Sequence, residues 1–390
     1  MMTLTLSIDE LFAQAYEWQA SGQFLRAGHA YAEYLNHRGD DPSGWNNLGN
    51  CYRSLGCDEK AIPCFDRALE LEPGRPSSRL NRGLSYLALG DYKAGWPDYE
   101  ARLEAIAFRS EIVAQRNCQW NGETLSGEET LYLFGNQGLG DALQVWRYLG
   151  DVANRVSQVT LELQSPLISL TKYLPPNVKV IERGQAVGKA HKWCELFSLP
   201  GIFGTELSTI PKPAGIEFDR DKNILRRIEK ERRKDRHALQ IGLVWSGTPA
   251  NSLNTYRALS LEQLRPILEL EHCRFHSLQK GGPANEAELL DSSIRPVDLS
   301  SHLTDFASTA TAIEALDLVI TADTSVPNLI GAMDQSAWVL LHQPSDWRWG
   351  KHGATSPWYP RLELFRQPAM RDWAPVVEEV RCRLSGLGSA

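Results

Sequence analysis

The sequence predicts an α-helical repeat array followed by two α/β domains, each built on a parallel sheet. Residue types recur about every 34 positions in the first third of the chain. After residue 110, short β-rich runs alternate with longer amphipathic stretches, as in βαβ units. The predicted boundaries are 1–110 for the array, 111–230 for the first α/β domain and 231–390 for the second. A chain of 390 residues is long enough for three domains.

The repeat is clearest in its second copy, where large, small and helix-ending residues follow in a fixed order. This copy contains Trp45, Leu48, Gly49, Tyr52, Gly56, Ala61, Phe65, Ala68 and Pro73. Small residues at Gly49 and Ala61 let two helices approach closely, and Pro73 ends the second helix because proline cannot continue it. The pattern resembles the tetratricopeptide (TPR) repeat, of which about three copies fit. Such an array is expected to bind a protein partner, or else to pack against its own chain and support self-association.

Composition and charge exclude several classes of protein. The net charge is −7, so the chain lacks the basic surface that nucleic-acid binding requires. No apolar run approaches the roughly 18 residues of a transmembrane helix, and the N-terminus does not have the pattern of a secretory signal. Seven scattered cysteines without a CxxC pair predict reduced thiols and no zinc site. We expect a cytoplasmic protein, with association at the inner membrane face as the alternative.

Candidate ligand-binding residues follow the predicted strands, since open parallel sheets bind ligands beyond the carboxyl ends of their strands. The strands are predicted at 130–134, 159–163, 178–181, 241–245, 273–279, 316–321 and 338–342. The first is followed by a glycine-rich loop with Asn136, Gln137, Gly138, Gly140 and Asp141. Later strands are followed by Ser246, Gly247 and Thr248, by Gln279 and Lys280, and by Asp323, Thr324, Ser325 and Asn328.

Hydroxyls and free backbone N–H groups at a helix N-terminus suit an anion such as a diphosphate. Lys280 would supply positive charge, and Arg257 is a second candidate cation whose alternative is an ordinary surface arginine. Asp141 lies where a helix begins, so it fits either a catalytic base or a helix cap. We see no carboxylate pair arranged as a metal site.

Residues 115–385 resemble the glycosyltransferase module of bacterial TPR-containing glycosyltransferases. That family is related to the lipopolysaccharide heptosyltransferases and more distantly to O-GlcNAc transferases. The similar segments are GNQGLGDALQVWRYL (135–149), IGLVWSGTP (241–249), FHSLQKG (275–281), LDLVITADTSVPNLIGAM (316–333), DWRWG (346–350) and SPWYPRLELFRQ (356–367). The resemblance implies the GT-B fold, in which two Rossmann-like domains face a cleft and the second binds the nucleotide. It also implies that a final helix near 372–384 crosses back to the first domain.

The resemblance further implies inverting, metal-independent transfer of a hexosyl or heptosyl group from a nucleoside-diphosphate sugar. The acceptor would be a hydroxyl of a glycan or a protein, and no other cofactor is expected. UDP is the first choice of nucleotide, although the sequence does not reveal the base. Asp141 matches the aspartate to which the family's base role is assigned, and Asp323 and Thr324 match its phosphate loop.

Two positions depart from the family pattern. Asn136 stands where the family usually has glutamate, and Asn328 stands where it usually has histidine. Asparagine donates hydrogen bonds but neither carries charge nor transfers a proton. These departures keep open a second hypothesis, a catalytically degenerate nucleotide-binding TPR scaffold. A GT-B epimerase fits less well, because it would not require the repeat array or the SPWYP segment.

Overall fold

The computed structural model describes residues 7–105, 118–248 and 254–387 of the chain. These residues form two compact units. One unit holds the helices of the first 105 residues together with Pro200–Ile210 and Pro344–His352, and the other holds the rest of the described chain.

The first six helices of the helical unit pack in chain order, each against the next, and the short seventh packs against the fifth. They are α1 (Ile8–Ala20), α2 (Phe24–His37), α3 (Pro42–Ser54), α4 (Asp58–Leu71), α5 (Pro76–Leu89), α6 (Tyr92–Tyr99) and the short α7 (Arg102–Ala105). The turn glycines Gly22, Gly56 and Gly90 all have a positive φ, between 74° and 83°, which explains why this position of the repeat carries glycine.

The small residues of the repeat lie where helices cross. A Cβ atom at Gly49 would lie 2.5 Å from the ring of Phe65, and one at Gly83 would lie 2.7 Å from the backbone nitrogen of Tyr99. Both pairs occupy the same positions of successive repeats, so the close approach recurs with the period. The predicted helical repeat array is therefore confirmed, together with the packing reason for its glycines.

Two segments from later in the chain complete the helical unit. The indole Nε1 of Trp96 donates a hydrogen bond to the carbonyl oxygen of Thr205 at 2.7 Å. The ring of Trp347 makes edge contacts with Tyr92 and Trp96, with centroids 6.0 and 5.6 Å apart. The predicted boundaries assigned both segments to the α/β domains, whereas here they pack with the helices. The array therefore packs against segments of its own chain.

The second unit contains two sheets whose paired strands are parallel. The first has the order β3–β2–β1–β4 and the second the order β10–β9–β8–β5–β6–β7. The strands are β1 (Leu125–Phe134), β2 (Val156–Leu163), β3 (Val178–Glu182), β4 (Lys192–Glu195), β5 (Leu239–Val244), β6 (Cys273–Ser277), β7 (Val297–Asp298), β8 (Leu318–Ala322), β9 (Ala337–Leu341) and β10 (Leu362–Arg366). This confirms the prediction of parallel α/β sheets. The short β4 and β7, with four and two residues, were not predicted, and neither was the five-residue β10.

Helices follow most of these strands, as the alternation predicted. They are α8 (Leu139–Val145), α9 (Leu149–Arg155), α10 (Leu199–Ile202), α11 (Lys222–Arg232), α12 (Asn254–Arg257), α13 (Arg265–Leu268), α14 (Phe306–Ala315), α15 (Ser325–Ala332) and α16 (Ala374–Leu387). The shorter 3₁₀ turns include Trp146–Tyr148 and Trp347–Trp349. No helix in the described ranges is both long and apolar enough to cross a bilayer.

The last helix differs from its prediction. We expected it to cross back to the first α/β domain. The buried face of α16, with Val376, Val377, Val380 and Leu384, instead belongs to the hydrophobic core of the second sheet. His272, which directly precedes β6, contacts the carbonyl oxygen of Leu384 at 3.0 Å. The apolar side chains of α16 are buried against the second sheet, so the helix covers that sheet.

Candidate functional site

The turn between β8 and α15 forms one side of the candidate site. Thr324 caps α15: its hydroxyl oxygen accepts a hydrogen bond from the backbone N–H of Val326 at 3.2 Å. Asp323 is buried, and Nη1 of Arg257 donates to its carbonyl oxygen at 3.2 Å. Arg257, predicted as a candidate cation, therefore lies beside the predicted phosphate loop.

The loop after β5 lies against this turn. The backbone N–H of Gly247 donates to Oδ1 of Asn254 at 2.8 Å, and Nδ2 of Asn254 donates to the hydroxyl oxygen of Ser246 at 3.1 Å. A Cβ atom at Gly247 would lie 3.8 Å from the methyl carbon of Thr324. Thr248 is exposed. Sequence reasoning missed Asn254, which lies beyond the quoted loop and has no motif of its own.

Gln279 joins the loops after β5 and β6. Its Oε1 accepts hydrogen bonds from the backbone N–H groups of Trp245 and Ser246, and its Nε2 donates to the carbonyl oxygens of Ser246 and Lys280, all within 3.0 Å. The amide of Gln279 is thus committed to backbone groups. The ammonium group of Lys280, predicted to face a phosphate, donates to the carbonyl oxygen of Leu303.

The glycine-rich loop after β1 leads into α8. Oδ2 of Asp141 accepts a hydrogen bond from the backbone N–H of Gly138 at 2.9 Å, so Asp141 caps the helix from its third position. The backbone N–H of Asn136 donates to Oε1 of Glu195 at 3.2 Å, and the carbonyl oxygen of Gln137 accepts from Gln164 at 3.0 Å. The loop is therefore held by side chains at the ends of β4 and β2.

The glycine-rich loop meets the predicted phosphate loop at Gly140. A Cβ atom there would lie 2.8 Å from Nδ2 of Asn328 and 3.3 Å from Cα of Ser325. Only a glycine allows this approach of α8 to α15. The contact brings α8, which follows β1 of the first sheet, against the N-terminal turn of α15, which follows β8 of the second; Asp141 is the next residue of α8.

Asn328 is buried, with only 2% of its surface exposed. Its Nδ2 donates to the carbonyl oxygen of Thr324 at 2.9 Å, and its Oδ1 accepts from the hydroxyl of Tyr359 at 2.9 Å. The side-chain amide of Asn328, which was predicted to contact a ligand, therefore already makes two hydrogen bonds within the protein. Tyr359 was not singled out from the sequence, although it lies in the SPWYP segment.

A buried arginine also lies at this junction. Arg147, in the 3₁₀ turn after α8, is 7% exposed. Its Nη1 donates to the carbonyl oxygen of Pro211 at 2.8 Å and its Nη2 to that of Trp358 at 2.9 Å. The guanidinium also lies over the rings of Trp358 and Tyr359, 5.2 and 5.3 Å from their centroids. Burial lowers the pKa of Arg147.

Two other features of the second unit do not coincide with this site. A depression of about 530 Å³, lined in part by Glu231, Cys273 and Arg274, lies at the amino-terminal edge of the second sheet, opposite the candidate loops. Open parallel sheets bind ligands beyond the carboxyl ends of their strands, and this depression lies at the amino ends. It is therefore a poor candidate for a nucleotide site. Across the described ranges, no group of three or more histidine, cysteine, aspartate or glutamate residues is placed to hold a metal ion.

Comparisons with known proteins identify the repeats. Protein FlbA of Caulobacter vibrioides is 22% identical over 404 residues, and the match covers 87% of this chain but 66% of that protein's length. The Sgt2 TPR domain of Aspergillus fumigatus is 24% identical with a TM-score of 0.24, over 25% of this chain and 65% of that one. The Yersinia enterocolitica type III secretion chaperone SycD, in complex with a YopD peptide, is 17% identical with a TM-score of 0.25, over 28% and 84%. Residues 42–75 match the family model of the tetratricopeptide repeat, so the chain contains this repeat.

Proposed function

We propose that this protein is a glycosyltransferase that moves a sugar from a nucleoside-diphosphate sugar to a hydroxyl of a glycan or protein acceptor, with inversion and without a metal. The observation that carries the proposal is the contact of Gly140 with Ser325 and Asn328. It brings α8, which carries Asp141, against the N-terminal turn of α15, where we propose that the diphosphate binds.

The diphosphate would bind at the N-terminal turn of α15. The backbone N–H of Ser325 and the hydroxyls of Thr324 and Ser325 are suited to an anion there, whereas the N–H of Val326 is bound to Thr324 and Pro327 has none. Gly247, which follows Ser246 in the loop after β5, approaches the same turn. Arg257 is the better candidate cation, because it already contacts this turn, whereas Lys280 contacts Leu303. Fixed donors of this kind stabilise the negative charge that develops on the departing diphosphate.

Asp141 would act as the general base. Its carboxylate takes the proton of the acceptor hydroxyl while that oxygen forms a bond to the anomeric carbon. The bond from the anomeric carbon to the diphosphate oxygen breaks at the same time, and the electron pair leaves with the nucleoside diphosphate. Attack opposite the leaving group inverts the configuration.

A nucleotide-binding scaffold without transfer activity is the second candidate. Asp141 already caps α8, and Asn328 uses its amide in internal hydrogen bonds. Both roles are structural and persist without catalysis. In either case we propose that the TPR helices bind a protein partner, beyond the two segments of their own chain.

Calorimetry with UDP, GDP, ADP and dTDP, with and without a chelator, tests the proposal. We expect one of them to bind without added metal, and its sugar conjugate to be hydrolysed or transferred. Arg257→Gln should weaken binding about tenfold, as expected for the loss of a charge-assisted contact, whereas Arg233→Gln on the exposed face of the α11 end should not. If none of the four nucleotides binds, the glycosyltransferase proposal is wrong. Binding without hydrolysis or transfer would favour the scaffold.

A further inference from the structure

A continuous set of contacts joins Arg147 to the phosphate loop. Arg147 binds the carbonyl oxygen of Trp358 and lies against the rings of Trp358 and Tyr359. The hydroxyl of Tyr359 then donates to Asn328, whose Nδ2 donates to the carbonyl oxygen of Thr324. These contacts connect the 3₁₀ turn after α8 to the turn that precedes α15.

The guanidinium is unusually placed for a buried charge. Within the described ranges it forms no ion pair with a carboxylate, and its donors go to the carbonyl oxygens of Gln144, Pro211 and Trp358. A buried charge is costly unless its donors are satisfied. Three carbonyls and two aromatic faces provide this compensation. A planar guanidinium can serve all of them at once, whereas the single ammonium of a lysine cannot.

The ring of Tyr359 also packs against α15. A Cβ atom at Gly331 would lie 2.1 Å from the Tyr359 ring, so this ring packs directly on the backbone of α15. Movement of the ring would therefore change both its packing on α15 and its hydrogen bond to Asn328.

We propose that Arg147 is a positioning residue for the candidate nucleotide site. It fixes the Trp358–Tyr359 turn, and through the Tyr359 hydroxyl it fixes Asn328 and the first turn of α15. The inference rests on the proposed function in that this turn is where the diphosphate would bind. It assigns Asn328 the task of orienting the turn, in place of direct contact with the ligand.

Hydrogen exchange of the full-length protein tests this without any ligand. Arg147→Lys and Tyr359→Phe should each speed exchange of the backbone amides of residues 326 and 328–330 about tenfold, the effect of losing a buried hydrogen bond. Amides of β2 should keep their rates. The double variant should exchange no faster than the more affected single variant, since both act through one set of contacts. Arg227→Lys is the matched control, because Arg227 also donates to a carbonyl oxygen, that of Asp298, but on the surface.

Unchanged exchange at residues 326 and 328–330 in both variants, or equal acceleration at β2, would overturn the inference. If Arg147→Lys fails to fold, Arg147→Gln takes its place. Tyr359→Phe, which removes only one oxygen atom, tests the bond between Tyr359 and Asn328 by itself. Calorimetry with UDP, GDP, ADP and dTDP on the unmodified protein keeps the two proposals apart. Absence of binding would refute the proposed function, while the exchange rates would still decide the role of Arg147.

Discussion

The hydroxyl group of Tyr359 donates a hydrogen bond to Oδ1 of Asn328 at 2.9 Å, and both side chains are almost fully buried. The bond connects the loop before β10 to the helix that follows β8. Asn328 stands where the resembling family usually has a histidine, and its amide is used for this bond and for one to Thr324. The amide of Asn328 is therefore committed to hydrogen bonds within the protein.

Asn328→Ala should lower the free energy of unfolding by about 2 kcal/mol, because it leaves the Tyr359 hydroxyl and the Thr324 carbonyl without their partner in a buried place. Urea denaturation measures the change. Asn285→Ala, at an exposed asparagine, is the control and should stay within about 0.5 kcal/mol. An equally small effect at Asn328 would mean that its hydrogen bonds are replaced by water.

Asp141→Asn should reduce sugar transfer by roughly 10²–10⁴-fold, the usual contribution of a general base, while nucleotide affinity stays within a few-fold. Asparagine keeps the size and accepts a hydrogen bond from Gly138, so the start of α8 should persist. Steady-state transfer assays and calorimetry on the same preparations measure both effects. Asp151→Asn, at an exposed position of α9, is the control. Transfer at the unmodified rate would leave Asp141 with a capping role only.

Gln144→Met should raise the free energy of unfolding by about 1 kcal/mol. Gln144 is fully buried in α8, and neither atom of its amide group has a hydrogen-bond partner among the described residues. Burying an unsatisfied amide is costly, and methionine has a similar shape without that cost. Thermal and urea unfolding would measure the gain. A clear loss of stability would show that the amide is hydrogen-bonded in solution.

Lys351→Met should loosen the packing of Pro344–His352 in the helical unit. The ammonium group of Lys351 lies 3.5 Å from Oδ2 of Asp58 and 3.0 Å from Oε2 of Glu59. Asp58 is buried, which raises the pKa of its carboxyl, and Lys351 is the strongest of the groups that oppose this rise. At pH 7 the variant should lose about 2 kcal/mol of stability, since the carboxylate is left buried without its partner.

The pH dependence of this loss has a definite sign. Removing the ammonium raises the folded-state pKa of Asp58 further above its unfolded value, so the folded state binds more protons and stability falls as pH rises through that pKa. The deficit of Lys351→Met should therefore be present at neutral pH and shrink towards about pH 4, where the carboxyl is protonated. Lys93→Met, at an exposed lysine, is the control. A deficit that does not change with pH would exclude Asp58 as its cause.

The sequence by itself determined the helical repeats and the parallel strands. The spacing of Gly49 and Gly83 predicted close helix contacts, and both glycines face a ring or a backbone of the next helix. Alternating β-rich runs predicted most strands of both sheets. These features depend on neighbours within about 40 residues, so periodicity and turn chemistry reveal them.

Only the tertiary structure decided which distant groups meet. Pairings such as Gly140 with Ser325, Arg147 with Trp358 and Trp347 with Trp96 join segments that no local pattern relates. The short strand β10 and the direction of α16 likewise depended on the core that receives them. The physical reason is that a hydrophobic pattern shows that one face of a helix or strand is buried. Which other element that face packs against depends on the packing of the whole unit.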